Sequence, residues 1–580
     1  PAPSPARWIV PSGCRPFQHR MPARAPAVLL ANTEHPPQFR SPSNSSIASP
    51  MSLARNTFVQ TFMTLGSRLL GFARDLALNA RFGQGPMMDA FATALMFPNL
   101  FRRLFAEGAF AQAFVPIYGK VRAEEGEEAA AKIASQTMSF LLAVVIAFCI
   151  AAQIAMTWIM PVLLSAYAAD KEMMQLATLV TQLTMPYLAC MTLASLLSGV
   201  LNTSGRFALS AGVPILLNVC TIAPLVLIED REAALIGAAV AVTVAGVLQA
   251  GLLWWGVWRL GVSLRFGFPG LTDTVKRVLV LAVPGALAGG ATQINSLVSQ
   301  ILTGSDAGAR SVLYNADRLY QLPLGLVGVA VGLALVPRLT KAFVANDHDG
   351  AQTTLDDGLG LAMAFTIPAA AALIVMPFFI IDATVTRGVF TSDDARRTAE
   401  VLRHFGWGVP AFVLAKVLTP PFFARQDTRR PMRYAFATVA VTVVLGAALF
   451  FGFKRIGWDG VVGLAIATSI GAWVNVALLS GTLAREGTWR VGPALRSRLV
   501  RLAIATAVMA SVLGVMAYFY PTLAQVFIWK EAAVIVACLV GAGVYGAAVL
   551  ATGAVTAREM RAALRREPGG GGGLPGGLDG

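Results

Sequence analysis

The residues SFLLAVVIAFCIAAQIAMTWIMPVLL (139–164) form a continuous apolar run, and similar runs recur along the chain. About 20 apolar residues are enough for an α-helix to cross the hydrocarbon core of a membrane. Strands of a membrane barrel alternate between polar and apolar residues, so runs of this length exclude them. Only 13% of the 580 residues are charged, against about 25% in soluble domains. The sequence therefore predicts an all-α polytopic membrane protein.

Apolar segments of suitable length predict about fourteen transmembrane helices. They lie near residues 57–80, 91–115, 135–162, 175–201, 208–228, 233–257, 278–303, 313–336, 358–381, 401–424, 434–453, 459–483, 502–520 and 529–552.

The loops between these spans differ in positive charge. From Met51 onward, the N-terminus, the even-numbered loops and the C-terminus hold about 24 Lys and Arg, and the odd-numbered loops about 10. Loops rich in Lys and Arg stay in the cytoplasm, so both termini are predicted to be cytoplasmic. The net charge of +15 is thereby explained without a nucleic-acid partner.

Two sequence patterns recur with similar offsets. AFVPIYGKVRAEEG (113–126) resembles ALVPRLTKAFVAND (334–347), and MPYLACMTLASLLSGVLNTSGR (185–206) resembles VPAFVLAKVLTPPFFARQDTRR (409–430). The offsets are 221 and 224 residues, which predicts a duplicated six-helix unit with parallel topology and a cavity between the copies. Recurrence of proline in unrelated membrane helices is the simpler alternative. The predicted organisation is an N-lobe (51–260), a C-lobe (261–490) and a final helix pair (491–560).

The two ends of the chain have a different composition. Residues 1–50 are rich in Pro, Ser and Arg, which is typical of a disordered leader, or alternatively of an organellar transit peptide. Residues 561–580 are glycine-rich and are predicted to be disordered. The five cysteines have no metal-ligand spacing, so neither a metal site nor a disulfide framework is predicted.

Charged residues interrupt three of the spans. In the first span the polar residues recur every three or four positions and share one helical face, which is expected to face the protein interior. A second line of this kind occupies the second span, and LYNADRLYQLP (313–323) adds charges to the eighth. The residues concerned are Thr64, Arg68, Gly71, Arg74, Asp75 and Asn79; Asp89, Asn99, Arg102, Arg103 and Glu107; and Tyr314, Asp317, Arg318 and Gln321.

These residues include more arginines than Asp and Glu residues. Structural ion pairs, such as Arg103 with Glu107 or Arg68 with Asp75, are one alternative, but there are too few carboxylates to pair with every arginine. The excess predicts an anionic substrate, and because guanidinium pairs bidentately with phosphate, a diphosphate fits well. A cation exporter would show an excess of acid. A membrane glycosyltransferase usually needs clustered carboxylates or a large soluble loop, and a structural scaffold needs no central arginines.

With these residues, the chain resembles the MurJ (MviN) family of lipid II flippases in the multidrug/oligosaccharidyl-lipid/polysaccharide exporter superfamily. The resemblance runs from Met51 to about residue 560. It is carried by SRLLGFARD (67–75), MDAF (88–91), PNLFRRLFAEGAFAQAFVP (98–116), LNTSGRF (201–207), ADRLYQLPLGLVGVAVG (316–332) and FFARQDTRRP (422–431).

The resemblance implies a transporter rather than an enzyme. Two six-helix lobes would surround a central cavity, and the last helix pair would form a groove for the lipid tail. The substrate would be lipid II, undecaprenyl-diphosphate-linked disaccharide-pentapeptide, moved from the inner to the outer leaflet of the bacterial inner membrane for peptidoglycan synthesis. The cell-wall synthesis machinery is a candidate protein partner.

The resemblance also assigns site residues. Those expected to bind substrate are Arg68, Arg74, Arg102, Arg103 and Arg318, and those expected to be polar or gating residues of the cavity are Asp75, Asp89, Glu107, Asp317 and Gln321. Gln321 departs from the family pattern, because many relatives have a glutamate there. No cofactor or metal is expected. Residues 434–453 contain no Asp or Glu, which argues against sodium coupling of the type thought to operate in some relatives, and membrane potential is the expected driving force.

Overall fold

A computed structural model describes the backbone of residues 50–105, 109–345, 347–425, 427–526 and 529–554. Within these ranges, side chains are described except those of residues 50–61, 101–105, 109–113, 283–292, 326–337, 343–344 and 524–526. Apart from the backbone of Pro50, the predicted leader lies outside the described residues, and so does the predicted tail. The described elements are helices joined by turns and loops, the longest described loop being 260–272, with no strand among them.

Ten elements make up the first half of the bundle. They are α1 (Pro50–Phe82), α2 (Pro86–Phe105), α3 (Ala109–Glu124), α4 (Glu127–Leu163), the 3-10 turn η1 (Ser165–Tyr167), α5 (Lys171–Thr184), α6 (Tyr187–Thr203), α7 (Phe207–Gly212), α8 (Pro214–Leu227) and α9 (Arg231–Arg259).

Twelve helices follow. They are α10 (Asp273–Thr303), α11 (Ala309–Val344), α12 (His348–Val375), α13 (Pro377–Val385), α14 (Ser392–Gly406), α15 (Val409–Leu418), α16 (Pro420–Ala424), α17 (Arg429–Arg455), α18 (Gly460–Arg485), α19 (Pro493–Tyr518), α20 (Tyr520–Val526) and α21 (Lys530–Thr552).

Helices occupy each of the fourteen predicted spans. Ten helical stretches of the described chain are long and apolar enough to cross a membrane, and they correspond to spans three to six and nine to fourteen. The other four spans, formed by α1, α2 with α3, α10 and α11, contain charged residues or side chains that the structure does not describe. The chain is a multi-pass helical membrane protein, and the count of fourteen stays a prediction.

The C-terminal boundary of the ninth predicted span, 358–381, is wrong. The helix α12 stops at Val375, and Met376 leaves the helical conformation with φ −126° and ψ 42°. The next helix, α13, then begins at Pro377. Proline has no backbone N–H and its fixed φ suits the first helical position, which explains why a new helix starts there. The apolar composition continues through the break, so hydropathy alone does not detect it.

Helix contacts in the second half repeat those in the first. In the first half α3 packs against α4 and α6, α4 against α6, α6 against α9, and α8 against α9. The same pattern recurs where α11 packs against α12 and α15, α12 against α15, α15 against α18, and α17 against α18. Both halves also break a helix at the repeated prolines, Pro186 before α6 and Pro410 at the start of α15. This repetition favours the predicted duplication into two lobes.

Lipid-facing surface is recognisable on α4. Its 37 residues make a helix roughly 55 Å long at 1.5 Å per residue, which is longer than the hydrocarbon core. Ile150, Ile154 and Trp158 lie on its exposed side, with 54%, 61% and 70% of their surfaces accessible. Large exposed apolar side chains along one helix indicate contact with lipid rather than water.

The final helix pair is attached to the second half. Helices α19 and α21 pack against each other, α19 also against α12, and α21 against α13. The hydroxyl of Tyr520 donates a 2.6 Å hydrogen bond to Asp382 on α13, and Lys530 lies 3.4 Å from the same carboxylate. The predicted lipid-tail groove at this pair stays a prediction.

The helix bundle has two ends. At the Phe82 end, α1 and α4 finish and α11 begins; at the Arg485 end, α18 finishes. The positive-inside prediction assigns the Phe82 end to the periplasm.

Candidate functional site

A polar seam joins α1 to α11. It consists of Arg68, Arg74, Asp75 and Asn79 on α1 and of Tyr314, Asn315, Asp317, Arg318, Gln321 and Gly325 on α11. Asn79 and Asn315 exchange two amide hydrogen bonds of 2.8 Å. Further along, Asp75 contacts Tyr314 and Arg318, and Arg68 lies against Gly325. The eleven residue steps from Arg68 to Asn79 on α1 thus match the ten steps from Gly325 back to Asn315 on α11. The seam is roughly 15 Å long and joins helices of opposite direction.

The carboxylate of Asp75 is the centre of this seam. Its Oδ1 accepts hydrogen bonds of 2.8 Å from Arg74 Nη2 and 2.9 Å from the hydroxyl of Tyr314. Its Oδ2 lies 3.4 Å from Nε of Arg318, whose Nη2 donates to the Tyr314 hydroxyl at 3.3 Å. One carboxylate therefore faces two guanidinium groups, and one positive charge is left over.

The two arginines of this cluster differ in exposure. The side chain of Arg74 is 8% exposed and that of Asp75 is 11% exposed, whereas that of Arg318 is 41% exposed. A buried charge is tolerated when it is paired and hydrogen-bonded, and this condition is met by Arg74. Arg318 is the member whose charge is open to an incoming anion, and Arg74 holds Asp75 in position.

Arg68 lies farther toward the Arg485 end and is exposed. Its guanidinium sits against the backbone of α11 at Gly325, where a Cβ atom would overlap Nη1 of Arg68. The side chain is therefore directed at α11. The alternative pairing of Arg68 with Asp75 is wrong, because the described partners of that carboxylate are Arg74, Tyr314 and Arg318.

One turn along α11 from the Asp75 cluster, Gln321 donates a hydrogen bond to the carboxylate of Asp317. A glutamine at this position supplies an N–H donor to its neighbour, which an ionised glutamate would not do. Gln321 therefore satisfies Asp317, whereas an ionised glutamate at this position would repel it.

Asp89 lies outside the seam, at the Phe82 end. Its carboxylate accepts hydrogen bonds from the backbone N–H groups of Gly308 and Ser311, at 2.9 and 2.8 Å, and from the hydroxyl of Tyr167 at 2.9 Å. It thus satisfies free N–H groups at the start of α11, where the helix dipole favours a negative charge. Burial and the neighbouring Asp89 raise the pKa of Tyr167, so this hydroxyl remains a donor.

More contacts between the predicted lobes occur at the same end. The backbone N–H of Val389 donates to the carbonyl of Ala80 at 2.9 Å, and the side chain of Gln84 donates to Asp394 and Thr398. Together with Asp89, these contacts form a latch that closes the Phe82 end.

Arg310 is a latch residue that sequence reasoning missed. Its side chain is fully buried, and it donates to Thr93 on α2, to the carbonyl of Leu163 at the end of α4 at 2.7 Å, and to the carbonyl of Gln300. Arg310 lies three residues before the predicted eighth span, so the span prediction placed it in a loop. Nothing in the sequence around Arg310 indicates that its side chain contacts α2 and α4.

Three of the predicted site residues lie outside the described side chains: Arg102, Arg103 and Glu107. The described seam contains three guanidinium groups, of Arg68, Arg74 and Arg318, and two carboxylates, of Asp75 and Asp317. Within the part of the chain that the structure describes, no His, Cys, Asp or Glu side chains cluster in a way that suits a metal ion. The arrangement is suited to attracting an anion, and the roles of individual residues stay predictions.

Comparison with known proteins gives consistent results. The family model described as "Lipid II flippase MurJ" matches residues 78–553. A "Probable lipid II flippase MurJ" of Rhizobium meliloti (strain 1021) is 39% identical over 470 residues, which cover 80% of this chain and 87% of that protein. A "Lipid II flippase MurJ" of Burkholderia cenocepacia is 33% identical over 473 residues, 80% of this chain and 90% of that one.

Solved structures show the same fold. One described as "Lipid II flippase MurJ, inward closed conformation" superposes with a TM-score of 0.71 at 23% identity, over 88% of this chain and all of the other. An inward-facing multidrug resistance MATE family transporter of the MOP superfamily gives 0.58 at 14% identity, over 74% of this chain and 98% of the other. The fold is that of a transporter, and the extent of the family match shows that the chain belongs to the MurJ family of lipid II flippases.

Proposed function

We propose that this protein moves lipid II from the cytoplasmic to the periplasmic leaflet of the inner membrane by alternating access. The head group of lipid II carries a diphosphate, two sugars and a peptide, none of which enters hydrocarbon without a large desolvation cost. A polar path between two lobes removes that cost while the polyprenyl tail stays in lipid. Family membership supports this function, and the polar seam supplies a chemistry that suits it.

The observation that carries the proposal is the exposed positive charge of the seam. Asp75 faces both Arg74 and Arg318 but neutralises only one of them, and Arg318 remains 41% exposed. Arg68, two turns away on α1, is exposed as well. Arginine pairs with phosphate oxygens through two parallel N–H groups and keeps its charge when partly desolvated. We assign Arg68 and Arg318 to direct contact with the diphosphate and Arg74 to positioning.

The latch at the Phe82 end suggests how access alternates. With Asp89, Arg310 and the Ala80–Val389 bond in place, the two halves are held together at the end predicted to face the periplasm. The head group would then enter from the cytoplasmic side. Breaking these contacts would open the periplasmic end and release the lipid there, with both termini remaining cytoplasmic.

Membrane potential is a suitable driving force for this cycle. Moving one elementary charge across 100 mV is worth about 2.3 kcal/mol. The potential, negative inside, favours outward movement of an anionic head group. It also favours inward movement of any positive charge that the protein carries when the cavity returns empty.

A drug exporter of the same superfamily is the second candidate, because the fold is shared with a MATE transporter. Exporters of organic cations need acidic residues in the cavity. The described seam instead holds more guanidinium groups than carboxylates, which favours an anionic substrate.

The test is complementation of a strain depleted of its own lipid II flippase, using residues 51–580. Growth should be restored, and lipid II should become accessible to a reagent added outside the cytoplasmic membrane. Arg318→Ala should fail at wild-type membrane abundance, while Arg396→Ala, in an exposed surface ion pair, should behave as wild type. If the wild-type chain leaves lipid II in the inner leaflet, the flippase proposal is wrong.

A further inference from the structure

Lys416 is the one charged residue in the ten-residue helix α15, VPAFVLAKVL. Its side chain is exposed, whereas the neighbouring Val417 and Leu418 are fully or almost fully buried. A lysine inside an apolar span is costly and usually marks a functional pathway or a paired site. The sequence therefore carried a signal here, although the resemblance assigned Lys416 no role.

The face of α15 that carries Lys416 is directed at α11. Phe412 lies one helical turn earlier on the same face. Its ring stacks on Tyr320 of α11, with 5.6 Å between the ring centroids and 22° between the planes. Tyr320 also stacks on Phe405 of α14, with 4.6 Å between the ring centroids. This aromatic stack fixes the rotation of α15 relative to α11.

Arg68 reaches the same region from α1. It contacts α11 at Gly325, five residues beyond Tyr320, and Lys416 lies four residues beyond Phe412, the ring that stacks on Tyr320. The two cations come from different predicted lobes, Arg68 from the first and Lys416 from the second. Gly325 leaves room for Arg68, because any side chain at this position would occupy the space taken by the Arg68 guanidinium.

Among the described residues, neither cation has a carboxylate partner. The acidic groups of the seam are engaged elsewhere, Asp75 with Arg74 and Arg318 and Asp317 with Gln321. Two like charges that approach in a medium of low dielectric constant repel each other. An anion between them would attract both cations and offset this repulsion.

We infer that Arg68 and Lys416 form a two-cation subsite that binds one phosphate of the diphosphate head group across the lobe interface. This inference rests on the proposed function and adds a residue and a geometry to it. Arg68 supplies the planar fork, and Lys416 supplies a compact charge on a flexible stem that follows the phosphate as the lobes move. Occupation of the subsite would hold the two lobes together.

The experiment measures lipid II binding to purified full-length protein in detergent by native mass spectrometry. Lys416→Gln removes the charge and keeps most of the side chain, Lys416→Arg keeps the charge, and Lys276→Gln is the matched control in an exposed pair with Asp273. Lys416→Gln should raise the apparent Kd for lipid II about tenfold, equivalent to about 1.4 kcal/mol. Lys416→Arg should stay within about threefold of wild type, and Lys276→Gln should not change it.

A second ligand separates this inference from the proposed function. Undecaprenyl monophosphate has the same tail and one phosphate, which is the group that the subsite binds, so its affinity should also fall in Arg68→Ala/Lys416→Gln whether or not the protein binds lipid II. If folded Lys416→Gln binds lipid II with the affinity of wild type, the proposed subsite is wrong. Lys416 would then only extend toward the lipid head groups. If the wild-type chain itself binds no lipid II, the proposed function fails instead.

Discussion

Tyr314 donates a 2.9 Å hydrogen bond to Asp75 across the interface of the two predicted lobes, and the same hydroxyl accepts from Arg318 at 3.3 Å. The guanidinium of Arg318 also lies over the Tyr314 ring, 5.0 Å from its centroid. One phenol thus orients both the carboxylate of Asp75 and the partly exposed guanidinium of Arg318. Its position, four residues before Arg318 on α11, places the two side chains on one helical face.

Tyr314→Phe should weaken substrate handling without unfolding the protein. Loss of a hydrogen bond to a charged group costs about 1.5–3 kcal/mol locally, and Arg318 loses an acceptor that fixes its direction. We expect transport of lipid II to fall about tenfold in a leaflet-accessibility assay at normal protein abundance. Tyr434→Phe, which removes a hydroxyl bonded to Thr482 within the second half, is the control and should transport normally.

Gly325→Ala should separate stability from function. Alanine is favoured over glycine in a helix by up to about 1 kcal/mol, and the atom it would displace is the end of the flexible Arg68 side chain. The melting temperature should therefore hold or rise, while lipid II affinity falls because Arg68 is pushed from its position. Gly452→Ala on α17, where a Cβ atom meets open space, serves as the control. A variant with normal lipid II affinity would show that the position of Arg68 is unimportant.

Arg310→Met should loosen the latch at the Phe82 end. The substitution removes the donors to Thr93 and to the carbonyl of Leu163 and leaves the Asp89 carboxylate without the nearby positive charge. Spin labels at the exposed sites Pro86 and Asp393, in a cysteine-free background, should report a distance distribution shifted to longer values. An unchanged distribution would mean that Arg310 contributes nothing to closure.

The Arg485 end should lose stability in acid because of Glu486. Its carboxylate contacts Arg425 at 2.7 Å and also Arg430. Partial burial alone would raise the pKa of Glu486, but the hydrogen bonds and charges of these arginines lower it below its ordinary value of 4.5. A lowered pKa in the folded state stabilises the protein above about pH 4.5, and this contribution disappears as the pH falls through the folded-state value.

The measurement is the melting temperature of purified protein between pH 7 and pH 3.5. Wild type should lose more stability than Glu486→Gln over the lower part of this range, because the variant has no carboxylate to protonate. Parallel curves for the two proteins would contradict the assignment. Glu124→Gln, in an exposed pair with Lys120, should follow wild type.

Much of the fold follows from local composition. Runs such as 139–164 determine a membrane helix irrespective of their neighbours, so the predicted spans coincide with helices. The repeated prolines Pro186 and Pro410 likewise mark the positions where two corresponding helices break. The end of α12 at Val375 was missed because Met376 and Pro377 leave the apolar composition unchanged.

The partners within the site were harder to predict. Spacing placed Asp75 and Asn79 on one face of α1, and both contact α11. Spacing gives no information about which residue of a distant helix lies opposite, so the roles of Tyr314, Arg310 and Lys416 were not anticipated. The pairing of Arg74 with adjacent Asp75 was missed for a related reason, since helical angles describe Cβ directions and not the reach of a long side chain.

The most direct test of the account is the affinity of purified Arg318→Ala for lipid II, compared with Arg396→Ala at equal amounts of folded protein. If Arg318 binds the diphosphate, its variant should show an apparent Kd raised at least tenfold, and the control should match wild type. Equal affinities for both variants would contradict the central claim that the exposed guanidinium beside Asp75 binds the head group.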